Sequence, residues 1–329
     1  MRNRILTVLG IALVLGVVLH ILGFRMTKDD LHISAAPEAL FCIGGQIEGA
    51  QCSAGTFLPV TNSVLLTIIV DLLLLLTIVL VGRNLQLVPR GFQNVVEVII
   101  EFFYNFARGV DAKNVGKVFP LAGTIFVFFL VANYVALVPG VGSIGVCRPV
   151  SHSEVEASGA ATEPEAPGET SAFTGWPGYC DHHENLLVPA LRAPAADLNV
   201  TFAFAIVAGL MIEVWGFQAL GIGYLSKFFI NPFKEGFLMM FVGILELIGE
   251  FTRIISFSFR IFGNIFGGEV ILAVMSFFFV YLLPLPFYGL EVFVAFIQAA
   301  IFAVLTVIFG SVAMTPHAGH GDEGHGAAH

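Results

Sequence analysis

Charge is what this sequence has least of. Asp, Glu, Lys and Arg together make up 12% of its 329 residues, about half of the roughly 25% that a soluble domain carries. That shortage excludes an ordinary water-soluble globule, and with 57% hydrophobic residues and a mean hydropathy of +0.89 the class is a polytopic membrane protein. Basic residues are scarcer still, 15 Lys and Arg against 24 Asp and Glu. No basic footprint for nucleic acid can be drawn from so few. Length does not count domains here, because a bundle of membrane helices is one unit whatever its length. Much of the acid is confined to residues 151–184 and a short C-terminal tail, which leaves the apolar segments nearly uncharged.

What the sequence has is long apolar runs. About 20 such residues cross a hydrocarbon layer, and the runs at 5–24, 63–82, 119–139 and 198–220 qualify. Two longer stretches, about 236–280 and 285–312, are separated by Pro284-Leu285-Pro286, which reads as a breaker. The first exceeds one perpendicular crossing and must tilt or bend to stay in the bilayer. Residues 91–108 differ: Phe92, Val95, Val96, Ile99, Ile100 and Phe103 share one helical face, with Gln93, Asn94, Glu97 and Glu101 opposite. That pattern predicts an amphipathic helix lying at the interface, a soluble helix packed on a partner being the alternative. The expected fold is therefore all-α, with five to six membrane helices including a long tilted hairpin, plus one interfacial helix.

Orientation follows from Lys and Arg. Segment 83–118 carries Arg83, Arg90, Arg108, Lys113 and Lys117, and segment 221–235 carries Lys227 and Lys234. The alternating segments hold only Arg25 and Lys28, then Arg148 and Arg192. The positive-inside rule places the first pair in the cytoplasm, so residues 25–62 and 140–197 are expected outside and the C-terminus inside. Cys42 and Cys52 share the first external segment, and Cys147 and Cys180 the second. Two local bridges are the simplest of the three pairings in an oxidising compartment, with four free thiols as the alternative.

The organisation expected is a membrane helix or signal sequence over 1–30, an external segment over 31–62, a channel domain over 63–316 with an external insert at 140–195, and a His-rich tail over 317–329. Arg2 and Arg4 before the first run resemble a signal peptide, but the run is long and no small-residue cleavage site follows closely, which favours a retained helix. His20 within it reads as packed or interfacial. The insert is a low-complexity mixture that reads as a flexible loop, and its His152, His182 and His183 read as solvated residues rather than metal ligands. The tail reads as disordered. No metal site and no cofactor is expected.

The informative residues are those that do not belong in lipid. A charge at mid-bilayer costs about 2.5–3.5 kcal/mol on insertion scales, yet the run 236–280 retains Glu246, Glu250, Arg253, Arg260 and Glu269. Glu246, Arg253 and Arg260 recur every seven residues and form one stripe, each step about 10 Å along the axis. Asn264 sits one turn past Arg260. Glu269, nine residues past it, points to the opposite side about 13.5 Å further on. A guanidinium stays charged and cannot itself relay protons, whereas carboxylates displaced along the axis can line wet paths to either side. Structural ion pairs are the bland alternative; intramembrane ionisable residues favour transport. Gly263, Gly267 and Gly268 form a small-residue surface that admits another helix or a moving partner, and Ser256 and Ser258 add hydroxyls. On the last helix Glu291 and Gln298 share a face, and a turn at Pro284–Pro286 would bring Glu291 near Glu269 and Gln298 near Arg260. Asp71, Asn133, Asn199 and Glu213 are further polar positions in the spans, and Asp197 reads as a helix N-cap.

Taken together, Ser256-Phe-Ser-Phe-Arg260-Ile-Phe-Gly-Asn264-Ile-Phe-Gly-Gly-Glu269 resembles the signature of the a subunit of rotary F-type ATP synthases. The run Phe296 to Thr306 is similar to that family's last helix, and Asp197-Leu-Asn199-Val-Thr201 to the start of an inner one; the resemblance covers roughly residues 61–315. It implies a non-catalytic stator beside a rotating ring of c subunits. Peripheral-stalk subunits of the b type and the rest of the synthase would be its partners, and a bacterial plasma membrane its location. Arg260 would face the ring's carboxylate, with Asn264 and Gln298 as polar neighbours. Glu269 would belong to the half-channel open outside, and Glu246 with Ser256 to the one open to the cytoplasm. Where some bacterial relatives carry a histidine on the last helix this chain has Glu291, which is inferred to relay protons in its place. The competing readings are a non-conducting membrane scaffold and a secondary ion transporter. The latter predicts an inverted repeat that is not evident in the sequence.

Overall fold

A computed structural model describes residues 36–43, 47–48, 51–52, 58–83, 85–86, 88–138, 141, 144–149, 185–227, 237–278 and 284–315. The expected helix at 5–24, most of the external insert with Cys180 and its histidines, and the C-terminal tail lie outside these residues.

Helices dominate. Among the described residues, five are long and apolar enough to cross a membrane. They are α1 (Asn62–Gly82), α3 (Val115–Ala136), α4 (Leu198–Leu220), α5 (Phe237–Phe278) and α6 (Pro284–Met314). The expected spans that fall within the described residues hold, with one correction. Pro284 and Pro286 do not separate two helices by breaking them; they sit in the first turn of α6. Proline is well placed there, because a first-turn N–H has no intrahelical acceptor and the ring presets a helical φ.

Local chemistry sets the other ends. The amphipathic helix α2 (Phe92–Val110) follows Gly91, whose φ of 63° is a left-handed value that glycine adopts without strain. Asp111 ends α2 and starts the next turn: its Oδ1 accepts the amides of Lys113 (2.9 Å) and Asn114 (3.1 Å) just ahead of α3. The helix α4 stops at Gly221, again at positive φ (60°), the residue that a left-handed C-terminal turn selects.

Short strands also form, which the apolar periodicity did not reveal. β1 (Ala39–Ile43) pairs antiparallel with β4 (Leu58–Thr61), β2 (Ile47–Glu48) with β3 (Gln51–Cys52), and β5 (Gly145–Pro149) with β6 (Asn185–Pro189). Cys42 and Cys52 are joined by a disulfide between β1 and β3.

The described residues divide into two compact units, and all five long helices contribute to both. The first is drawn from Met1–Thr77, Phe128–Val200 and Ile261–Gln298, the second from Ile78–Val127, Thr201–Arg260 and Ala299–His329. Their interiors differ in kind. The first buries Leu66, Val70, Phe128, Phe129, Ile261 and Ile265 together with Asn62, Ser63, Asn133, Arg192, Asp197, Glu291 and Gln298. The second is mostly apolar, with Phe103 stacked on Phe126 at 4.7 Å, Phe257 edge-on to Phe302 at 5.4 Å, and Trp215 against the Gly310 backbone. A Cβ on Gly310 would lie 3.0 Å from that indole, so glycine permits the approach. Buried polar side chains need partners or water, and the first unit holds most of them.

Candidate functional site

In the first unit the polar groups converge on Glu269 of α5. The segment before α4 brings the buried Arg192 to it, with Nε 3.3 Å from Glu269 Oε2. The same guanidinium donates from Nη1 to the Ala36 carbonyl at 3.1 Å and lies 5.6 Å from the centre of the Phe266 ring. Ala193 adds a backbone hydrogen bond to the Glu269 carboxylate. Arg192 entered the sequence reading only as a loop charge. Its partner lies 77 positions away, and no local pattern announces such a pair.

Glu291 of α6 completes the cluster. It is 7% exposed and close enough to Glu269 for the two charges to interact, as expected from the turn between α5 and α6. Its carboxyl rests against the backbone of Gly268, where a Cβ would collide with it. Here the glycine expectation divides. Gly268 is filled by Glu291 of the same chain, whereas Gly263 and Gly267 have nothing within 4 Å of where a Cβ would stand.

Further polar groups belong to this unit. Asp197 caps α4, its Oδ1 accepting the Asn199 amide at 2.9 Å, while its Oδ2 accepts the Ser63 hydroxyl of α1 at 2.7 Å. Asn199 itself is exposed. Asn264 Nδ2 donates to Gln298 Oε1 at 2.7 Å; this is the contact formed by the amide that the sequence placed near Arg260. Asn133 is buried, and neither of its amide atoms has a hydrogen-bond partner among the described residues.

The second unit holds Arg253 and Arg260. A cavity of about 380 Å³ is lined by Thr252, Arg253, Ser256 and Arg260 of α5 with Leu305 and Phe309 of α6. Arg260 is exposed, and its hydrogen bond is a long one to Ser256 Oγ, 3.4 Å. Arg253 is held differently, with Nη1 2.5 Å from Glu250 Oε2 and the guanidinium 4.0 Å from the centre of the Phe309 ring. The expected stripe is thus partly realised: Arg253, Ser256 and Arg260 face one cavity, while Glu246 is half-buried and not among its lining residues. Glu213, half-buried on α4, lies within electrostatic reach of Tyr224. Thr201 and Ser258 hydroxyls meet at 3.0 Å in the core. Asp71 is exposed near the middle of α1 and joins neither group. Cys147 lies on β5.

The described residues hold no cluster of His, Cys, Asp or Glu fit for a metal ion. What remains is a set of groups suited to proton exchange in one unit and a cavity lined by two arginines in the other.

Comparison with known proteins narrows this chemistry. The family model described as ATP synthase A chain matches residues 64–311. The chain is 28% identical over 253 residues to ATP synthase subunit a of Moorella thermoacetica, covering 77% of this chain and 90% of that one. It is 30% identical over 286 residues to the subunit a of Geotalea uraniireducens, covering 87% and 92%. A third relative, from Campylobacter jejuni subsp. doylei, is 28% identical over 254 residues, with 77% and 89% covered.

Proposed function

The chain belongs to the ATP synthase A chain family, the non-catalytic membrane stator of the proton-transporting synthase, and on that premise we propose that it carries protons along two half-channels to a rotating ring of c subunits. Arg260 is the fixed cation that meets the ring's carboxylate. Glu269 and Glu291 pass protons on the external route. The cavity at Arg253 and Ser256 belongs to the cytoplasmic route, with Glu246 along it. Asn264 and Gln298 are the polar neighbours of the barrier.

One observation carries this reading. Arg260 stands exposed on a membrane helix with no carboxylate partner among the described residues. Arg253 has Glu250 and Arg192 has Glu269. An intramembrane charge is retained only at a cost of several kcal/mol, so an Arg that no described carboxylate pairs fits one kept for a carboxylate that another chain supplies. Because it stays protonated, it blocks direct passage while attracting each ring carboxylate in its ionised form.

A ring carboxylate therefore loads from the external side, turns through lipid neutral, and discharges toward the cytoplasm. The distribution of Lys and Arg supports a cytoplasmic C-terminus, the bacterial relatives support a bacterial plasma membrane, and peripheral-stalk subunits are the remaining partners. The test is Arg260→Ala in the assembled complex. ATP-driven pumping into vesicles is expected to stop while the subunit remains in the membrane. Pumping at the normal rate would support the scaffold reading instead, and flux by the isolated chain would support a secondary transporter.

A further inference from the structure

The contact that the proposed mechanism leaves unused is the one on the far side of Glu269. Arg192 lies in the segment that feeds α4, is 9% exposed, and is gripped from three directions. Nε meets Glu269, Nη1 meets the Ala36 carbonyl, and the guanidinium lies beside the Phe266 ring. Ala36 precedes β1, in the disulfide-bridged ribbon that ends at α1. This ribbon lies outside the family match, which begins at residue 64.

The ribbon is itself tied down. Asn62 donates its amide N–H to the Glu38 carbonyl at 3.0 Å, and its Oδ1 accepts the Glu38 amide at 3.3 Å. Its Nδ2 donates to the Pro189 carbonyl at 3.3 Å, three residues before Arg192. The cystine Cys42–Cys52 staples the same stretch.

We infer that Arg192 is a positioning residue for the Glu269 carboxylate, and that the external ribbon acts as part of the proton port by holding Arg192 in place. The inference rests on the reading of Glu269 as an external-route carboxylate. Its physical basis is restraint. A Glu side chain has several rotatable bonds, and proton transfer requires its oxygens within hydrogen-bond reach of the next carrier. Among the described residues, the two charged groups that face Glu269 are Arg192 and Glu291. Glu291 is the like charge, so Arg192 is the group that keeps the carboxylate from swinging away from it. A bond to a charged donor is the strong kind, and the planar guanidinium can grip Glu269 and the ribbon carbonyl at once.

The test is a double-mutant cycle in the assembled synthase, read as the ATP synthesis rate per membrane-inserted subunit. Arg192→Met keeps the stem and removes the donors, and a loss of roughly tenfold is expected. Arg192→Lys keeps a cation with one point of contact and is expected to restore a substantial part of the rate. In a Glu269→Gln background the further loss from Arg192→Met is expected to shrink below about twofold, since residues acting as one unit are not additive. Asn62→Ala loosens the ribbon without touching either partner, and is expected to give a smaller loss that Arg192→Met hides. Equal losses in both backgrounds would make Arg192 a general structural support and overturn the inference, as would a full rate in Arg192→Met. Neither result touches the Arg260→Ala outcome, so this inference can fail while the channel reading stands.

Discussion

Asn264 and Gln298 face each other across the two longest helices, the amide nitrogen of one 2.7 Å from the amide oxygen of the other. The bond fixes the orientation of Gln298 and leaves its own Nε2 buried with no acceptor among the described residues. A buried donor without an acceptor is a standing destabilisation of about 1–3 kcal/mol, which a passing carboxylate would relieve.

Gln298→Leu therefore has two expected effects. The subunit should be no less stable by more than about 1–3 kcal/mol, because one hydrogen bond and one unsatisfied donor disappear together. Proton-driven synthesis should nevertheless fall several-fold, and Gln298→Glu should not rescue it, since it replaces the amide with a competing carboxylate. Rates measured beside thermal unfolding of the complex separate the two effects. Unchanged synthesis in Gln298→Leu would remove this amide from the pathway.

Gly268→Ala is the sharpest steric test of the carboxylate cluster. The added methyl occupies the place of the Glu291 carboxyl, so that side chain must leave its position beside Glu269. Displacement of a reacting group by about 1 Å costs up to a hundredfold, and a loss between tenfold and a hundredfold in synthesis is expected. Gly267→Ala is the control: nothing lies within 4 Å of its new Cβ, so folding and membrane insertion should be unaffected.

Asp111 gives a pH prediction outside the spans. Burial pushes its carboxyl up, but hydrogen bonds from Ser311, from the Asn114 side chain and from the Asn114 and Lys113 amides outweigh that and hold it below the ordinary value. Because the folded form binds protons less readily, its contribution is complete above the ordinary carboxylate range, about pH 4. It is lost as pH falls through the lower, folded value. Hydrogen exchange at the Lys113 and Asn114 amides should be fast in Asp111→Ala at neutral pH. Ser311→Ala should weaken the same protection less, because only one of the bonds is removed.

Much of the fold was legible because lipid makes composition decisive. Uninterrupted apolar runs can only be helices when no water is present to satisfy the backbone, so α1, α3 and α4 were readable to within a few residues. The amphipathic period of α2 and the cap at Asp197 were equally local signals. The ribbons were not, since β2 and β3 are two residues each and depend on pairing and a cystine rather than on alternation. Within the site, α5 displayed its charges openly, but their pairing was hidden. Spacing put Glu246, Arg253 and Arg260 on one stripe, but it did not reveal that Arg253 pairs with Glu250, three residues away. Ser63 and Asp197 are 134 positions apart, and the Arg192 contact is similarly remote. Partners of that kind are fixed by helix packing and leave no periodic trace.

Gly263 and Gly267 stand one helical turn apart with open space beside both. Between the exposed Arg260 and the filled notch at Gly268, α5 therefore carries on two successive turns a glycine with open space beside it. A neighbour gliding past such a surface meets smooth backbone instead of a row of knobs, and does not have to climb over one rotamer after another. On the proposed mechanism, low sliding friction is as valuable to a stator as a well-placed charge: torque would be transmitted at Arg260, and little would be dissipated on either side of it.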